Sequence, residues 1–211
     1  MDFVGFLQRK IPDQQTPGHR PEGDYLLVTT GGGGDGADLI HNVIHAYQSD
    51  PSLTHRAFIV LGPYMPARSP RKLMRKSEPI SQIKMVEFDN RMEDLIAGAS
   101  GVVAMGGYNT YCEILSFDKP ALIVPRVAPR QEQLIRAQRA CELGLLDMLL
   151  PEQAEQPAVM AAKLKGLPYR PRPSQSAPNL RLEGLSHISN LVGDWLERGE
   201  RRQFAVVDGN I

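Results

Sequence analysis

Gly101-Val-Val-Ala-Met-Gly-Gly-Tyr-Asn-Thr-Tyr-Cys-Glu-Ile-Leu-Ser-Phe-Asp-Lys-Pro-Ala-Leu-Ile-Val-Pro125 compresses a strand, a turn, a helix and a second strand into one stretch. Its opening residues are small and apolar, as a buried strand requires. Gly106 and Gly107 follow, so that backbone N–H groups can approach a ligand with no Cβ in the way. Asn109 and Thr110 are natural caps for the helix that comes next. Glu113, one turn further in, faces the same mouth, where a carboxylate can accept hydrogen bonds from both hydroxyls of a ribose. The run Ala121 to Val124 is again apolar and of strand length.

Outward from this unit the same alternation recurs from Tyr25 onward. Apolar runs of strand length fall near 25–30, 57–62, 84–88, 102–105, 121–124 and 146–149, with amphipathic runs near 36–48, 68–76, 91–98, 109–117, 131–143 and 152–165 between them. Strands alternating with helices predict an α/β, Rossmann-like three-layer sandwich, with a mostly parallel sheet of about six strands. Residues 1–23 turn from a short apolar piece into Pro, Gly and Gln and read as a linker, and residues 24–165 form the expected domain. In residues 166–211 a Pro-rich connection, Leu167 to Pro173, leads to a last amphipathic helix near 182–198 and a polar tail.

Composition narrows the function classes. Twenty-four basic and 24 acidic residues cancel, so no global field recruits nucleic acid or an anionic membrane. Cys112 and Cys141 lack metal spacing and are too few for a disulfide framework, which points to a reducing cytoplasm. No apolar run approaches the roughly 18 residues of a membrane span, so membrane contact, if made, is expected to be peripheral. His41 and His45 stand at i and i+4 without a third ligand and read as helix surface, so no metal is expected. The cluster Arg68-Ser-Pro-Arg-Lys-Leu-Met-Arg-Lys76 could meet phosphates or lipid headgroups, but reads more readily as a solvated basic helix face.

A second glycine turn, Gly31-Gly-Gly-Gly-Asp-Gly36, joins the strand Tyr25 to Thr30 to the periodic run from Ala37. Strand, glycine turn and helix N-terminus together favour an anion, through free amides and the helix dipole. The turn matches G-x-G-x-x-G in form. A dinucleotide enzyme, however, needs an acidic residue about 20 positions on, to hold the ribose. The second strand ends instead in Val60-Leu-Gly-Pro-Tyr-Met-Pro66, without a carboxylate. A P-loop is excluded because neither Gly-Lys-Ser nor Gly-Lys-Thr closes the turn. Arg126 and Arg130 lie in a loop after a strand, the usual ligand edge of such sheets, and are candidates for an anionic ligand.

Taken with Pro120-Ala-Leu-Ile-Val-Pro-Arg-Val-Ala-Pro-Arg-Gln-Glu-Gln-Leu-Ile-Arg-Ala137, the two turns resemble the C-terminal half of MurG-type GT-B glycosyltransferases over residues 24 to 165. The resemblance implies a domain that binds a nucleotide sugar, usually UDP-linked, such as UDP-N-acetylglucosamine. It sets Gly32, Gly33, Gly34 and Asp35 beside the diphosphate, Gly34 standing where that family carries a hydroxyl residue. Gly106, Gly107, Asn109 and Thr110 correspond to its phosphate-side loop, and Glu113 to its ribose-binding glutamate. Glu132 and Gln133 correspond to the pair that holds the sugar hydroxyls, and Phe88 to Asn90 to the neighbours of the base.

In the reaction the resemblance implies, an acceptor hydroxyl attacks the anomeric carbon as the nucleotide diphosphate leaves, without a metal or cofactor. No catalytic residue is assigned, because the general base of that family lies in an N-terminal domain. The chain therefore reads as the donor half of a hexosyltransferase, completed by an N-terminal acceptor domain or by a separate subunit, in the cytoplasm or peripherally at the inner face of a membrane. A nucleotide-sugar epimerase or hydrolase of the same fold and a noncatalytic nucleotide-binding module are the alternatives. An NAD-linked oxidoreductase fits least.

Overall fold

In the computed structural model, which describes residues 5–10, 21–32, 34–180 and 182–207, the apolar runs assemble into one parallel sheet of six strands. These are β1 (Tyr25–Thr29), β2 (Arg56–Val60), β3 (Ile83–Val86), β4 (Gly101–Ala104), β5 (Ala121–Ile123) and β6 (Asp147–Met148), in the spatial order β3-β2-β1-β4-β5-β6. All five pairings are parallel. Three of the four inner strands, β1, β4 and β5, are buried along their whole length, which explains why they read as continuous apolar runs rather than alternating ones. The two edges are wetter, with Lys84 exposed in β3.

Crossover helices cover both faces. On one side α1 (Ala37–Ser49), α2 (Ser69–Ser77) and α7 (Pro157–Gly166) meet Leu26, Val28, Ile59, Val103 and Leu122 in a continuous apolar cluster. The amphipathic run of α1 buries Leu39, Ile40, Val43, Ile44 and Tyr47 there. Each Leu or Ile fully buried in this way stabilises the fold by about 1.5–3 kcal/mol. Between β strands on the chain path lie α3 (Met92–Gly98), α4 (Tyr108–Ser116) and α5 (Glu132–Glu142). Tyr25 is buried against Phe58, and its hydroxyl donates to the Leu95 carbonyl of α3 at 2.6 Å, which satisfies the one polar atom that its burial would strand.

Three expectations for the C-terminal part need correction. The run 152–165 is broken into α6 (Pro151–Ala154) and α7, because Gln156 is extended and Pro157 opens the new helix; a proline cannot donate the bond that would continue the old one. Residues 167–173 are not wholly irregular, since Leu167–Tyr169 form a 3-10 turn and Pro173 begins the short α8 (Pro173–Ser176). The last helix, α9, spans Gly184–Val207, longer than the apolar pattern predicts. Most of the proposed linker, residues 11–20, lies outside the described residues, as does the Gly33 position.

The chain divides into two units, Arg9–Asn179 and a smaller one of Met1–Gln8 with Leu180–Ile211. The sheet and its crossovers belong to the first. Within the second, Leu7 bridges Glu183 in antiparallel fashion and the Gly184 N–H donates to the Phe6 carbonyl at 3.0 Å. Among the described residues no helix is long and apolar enough to cross a membrane.

Candidate functional site

The sheet order reverses between β1 and β4, and a cleft of about 530 Å³ opens at that point along the carboxyl ends of the strands. Both glycine turns line it. The first leaves β1 at Thr29, whose hydroxyl accepts the Gly31 N–H at 3.2 Å, and Gly31 takes a left-handed φ of 65°. Thr30 then donates its hydroxyl to the Leu61 carbonyl, tying the turn to the end of β2. A side chain at Gly36 would collide with Thr30, so the entry into α1 requires glycine. Gly36 caps α1 without a side-chain hydrogen bond, which leaves the first amides of that helix without a side-chain partner.

The second turn is built by Gly106, with φ of 77° and with Ile123 Cγ2 2.9 Å from where a Cβ would sit. Its carbonyl accepts a 2.8 Å hydrogen bond from Arg136 Nη1 on α5, and the same guanidinium lies 5.5 Å from the Tyr108 ring centroid and 5.9 Å from that of Tyr111. Gly107 then caps α4, again without a side-chain bond. The expected caps are thus displaced: Asn109 and Thr110 sit inside the first turn of α4, not before it. The Thr110 hydroxyl lies 3.8 Å from the Cβ direction of Gly31, so the two turns face one another.

Ten of the expected residues converge on this wall: Gly32, Gly34, Asp35, Phe88, Gly106, Gly107, Asn109, Thr110, Glu113 and Gln133. Glu113 is half-buried, and its carboxyl is pushed above the ordinary glutamate range, chiefly by burial and then by Glu93, with Arg9 acting in the opposite sense. Phe88, which the expected strand 84–88 would have included, lies two residues past the end of β3 and is 58% exposed, an aromatic face offered to the cleft. Arg126, Arg130 and Glu132 do not line it. Arg126 instead pairs with Asp35 and with Glu132, each at 3.0 Å, while its backbone N–H donates to Gln133 Oε1 at 3.1 Å. Glu132 is held below its usual carboxylate range by its own backbone N–H and then by Arg126 and Arg130.

Two wall side chains, Tyr64 and Met92, escaped the sequence. Tyr64, 77% exposed, donates its N–H to the Gly32 carbonyl at 2.8 Å and lays its ring over that glycine. Met92 joins Phe88 on the β3 side, as does Asp89, which falls within the expected stretch Phe88 to Asn90 and whose carboxylate accepts the Arg91 N–H at 2.7 Å. The signal for Tyr64 was present, since an aromatic in a Gly-Pro loop after a strand sits at the ligand edge. Among the described residues no three His, Cys, Asp or Glu side chains cluster as metal ligands.

The chain matches, over residues 26–188, the family model described as glycosyltransferase family 28 C-terminal domain. No curated protein matches it. Among solved structures it is similar to the calicheamicin glycosyltransferase CalG4, at 21% identity and a TM-score of 0.66, covering 93% of this chain and 47% of that one. It is also similar to the glycosyltransferase VinC in complex with dTDP, at 18% identity and a TM-score of 0.62, covering 91% and 45%. MurG of Acinetobacter baumannii aligns at 14% identity with a TM-score of 0.65, covering 83% and 51%. The chain thus spans about half the length of the solved structures it resembles.

Proposed function

Because the chain belongs to the family defined by the glycosyltransferase family 28 C-terminal domain, we propose that it is the donor-binding domain of a hexosyltransferase, with a UDP-sugar as donor. The observation that carries this reading is the pair of glycine turns facing one another across one cleft, with Glu113 a turn inside α4. The turns offer backbone amides and two helix N-termini to a diphosphate. Glu113 offers a carboxylate to the ribose, Phe88 an aromatic face to the base, and Gln133 an amide to the sugar hydroxyls.

In the reaction proposed, an acceptor oxygen forms a bond to the anomeric carbon as the bond from that carbon to the diphosphate oxygen breaks. Negative charge builds on the departing diphosphate, and amides aimed at it from both turns stabilise that charge without reorganising. This chain's residues bind and orient the donor. The general base and the acceptor site belong to an N-terminal half or a partner subunit, so the chain binds donor but does not transfer it alone. The match to about half the length of solved glycosyltransferases supports that division. The proposed location is the cytoplasm, in keeping with two cysteines that form no disulfide framework, with any membrane contact peripheral and made through the partner half; an absence of nucleic-acid partners fits the balanced charge.

Calorimetry with UDP, UDP-N-acetylglucosamine, UDP-glucose, dTDP, GDP-mannose and NAD tests the reading. Uridine nucleotides should bind, and dTDP belongs in the panel because VinC holds it. Binding of NAD and of none of the sugar nucleotides would overturn the assignment.

A further inference from the structure

Resting on the cleft as a diphosphate site, we propose that Arg126 serves the donor without touching it, by discharging Asp35 and Glu132 so that a carboxylate-lined cleft can admit an anion. The residues on the wall include three acids, Asp35, Asp89 and Glu113, and neither lysine nor arginine. A diphosphate entering such a cleft meets favourable amides and unfavourable carboxylates. Two nearby arginines are committed elsewhere, Arg136 to the Gly106 carbonyl and Arg91 to Asp94 at 2.5 Å, and Arg130 does not line the cleft.

Arg126 is committed to the wall's own charges. Its two terminal nitrogens are divided between Asp35, on the first glycine turn, and Glu132, at the start of α5. Its Nε is buried and makes no hydrogen bond, and its backbone is fixed by Gln133. Moving the guanidinium onto a phosphate would break both pairs and release two carboxylates beside the incoming charge. Leaving it in place keeps Asp35 neutralised on the wall and turns Glu132 away from it. This makes Arg126 a positioning residue, acting through Asp35 and Glu132.

A charge ladder separates this role from direct contact. The cluster of Arg126, Asp35 and Glu132 carries one net negative charge as it stands. Arg126→Gln raises this to two, adding Asp35→Asn returns it to one, and adding Glu132→Gln removes it. UDP, which lacks the sugar that Glu132 was expected to read, is the probe, titrated into the full chain by calorimetry at low and at high salt. Arg126→Gln should weaken UDP about ten-fold at low salt, the size of one charge interaction across a solvent-accessible cleft, and less at high salt. The double variant should recover wild-type affinity, and the triple should equal or exceed it, with thermal unfolding confirming that each variant is folded. If all three variants stay equally weak, Arg126 binds the diphosphate itself and the proposal fails; an unchanged Arg126→Gln variant also overturns it. Absence of UDP binding by the unaltered chain would instead remove the donor site, and this role with it.

Discussion

Glu113 combines two demands that pull its ionisation in opposite directions. Burial, with Glu93 beside it, favours the neutral carboxyl, whereas the ribose hydroxyls proposed to bind here would donate to the carboxylate. Nucleotide affinity should therefore fall as pH drops through a value above the ordinary glutamate range, and Glu113→Gln should flatten that dependence while weakening UDP by about 1–3 kcal/mol. Stability has the opposite sign. A carboxyl whose folded pKa is raised contributes stability that is fully present below the unfolded value and is lost as pH rises through the folded one. Urea unfolding of the unliganded chain across mildly acidic pH should show that decline, and Glu113→Gln should remove it. The place of Glu113 was legible because it follows a Gly-Gly turn by a fixed helical offset. The state of Arg126 was not, since its partner Asp35 lies 91 positions away and guanidinium pairing is set by tertiary proximity.

At the scale of elements, the glycine turns separate residues that build the cleft from residues that leave it open. Gly106 holds a left-handed φ against Ile123, whereas a Cβ at Gly107 or at Gly34 meets nothing within 4 Å. Gly106→Ala should cost about 1–3 kcal/mol in urea unfolding, from backbone strain and overpacking. Gly34→Ala should leave stability within about 0.5 kcal/mol, yet weaken UDP, because its methyl projects into space the diphosphate is proposed to fill. Equal unfolding midpoints for the two variants would refute the distinction. Element types and their order were readable from periodicity, but their ends were not. The cap of α4 falls at Gly107 and not at Asn109, because glycine geometry lets the helix begin as soon as the strand ends. Pro157 breaks a run whose hydrophobicity alone reads as continuous.

At the scale of the molecule, strand order was the part sequence left open, because parallel pairing joins β1 to β4 across 75 residues of chain, a contact no local pattern encodes. That pairing creates the reversal at which the cleft opens, so the location of the site is a property of topology. The same view divides the chain by function. Every cleft-lining residue lies between Thr29 and Gln133, and the described buried hydrophobic side chains all fall between Tyr25 and Leu167. In α9, by contrast, Leu185, Val192, Trp195 and Leu196 are exposed. A chain ending at Asn179 should therefore unfold as one cooperative transition and bind UDP within about three-fold of the full chain, a difference below roughly 0.7 kcal/mol. Calorimetry and circular dichroism on the two lengths make the comparison. A truncated chain that folds but loses UDP would assign part of the donor site to residues 180–211, and the cleft between the two glycine turns would no longer suffice.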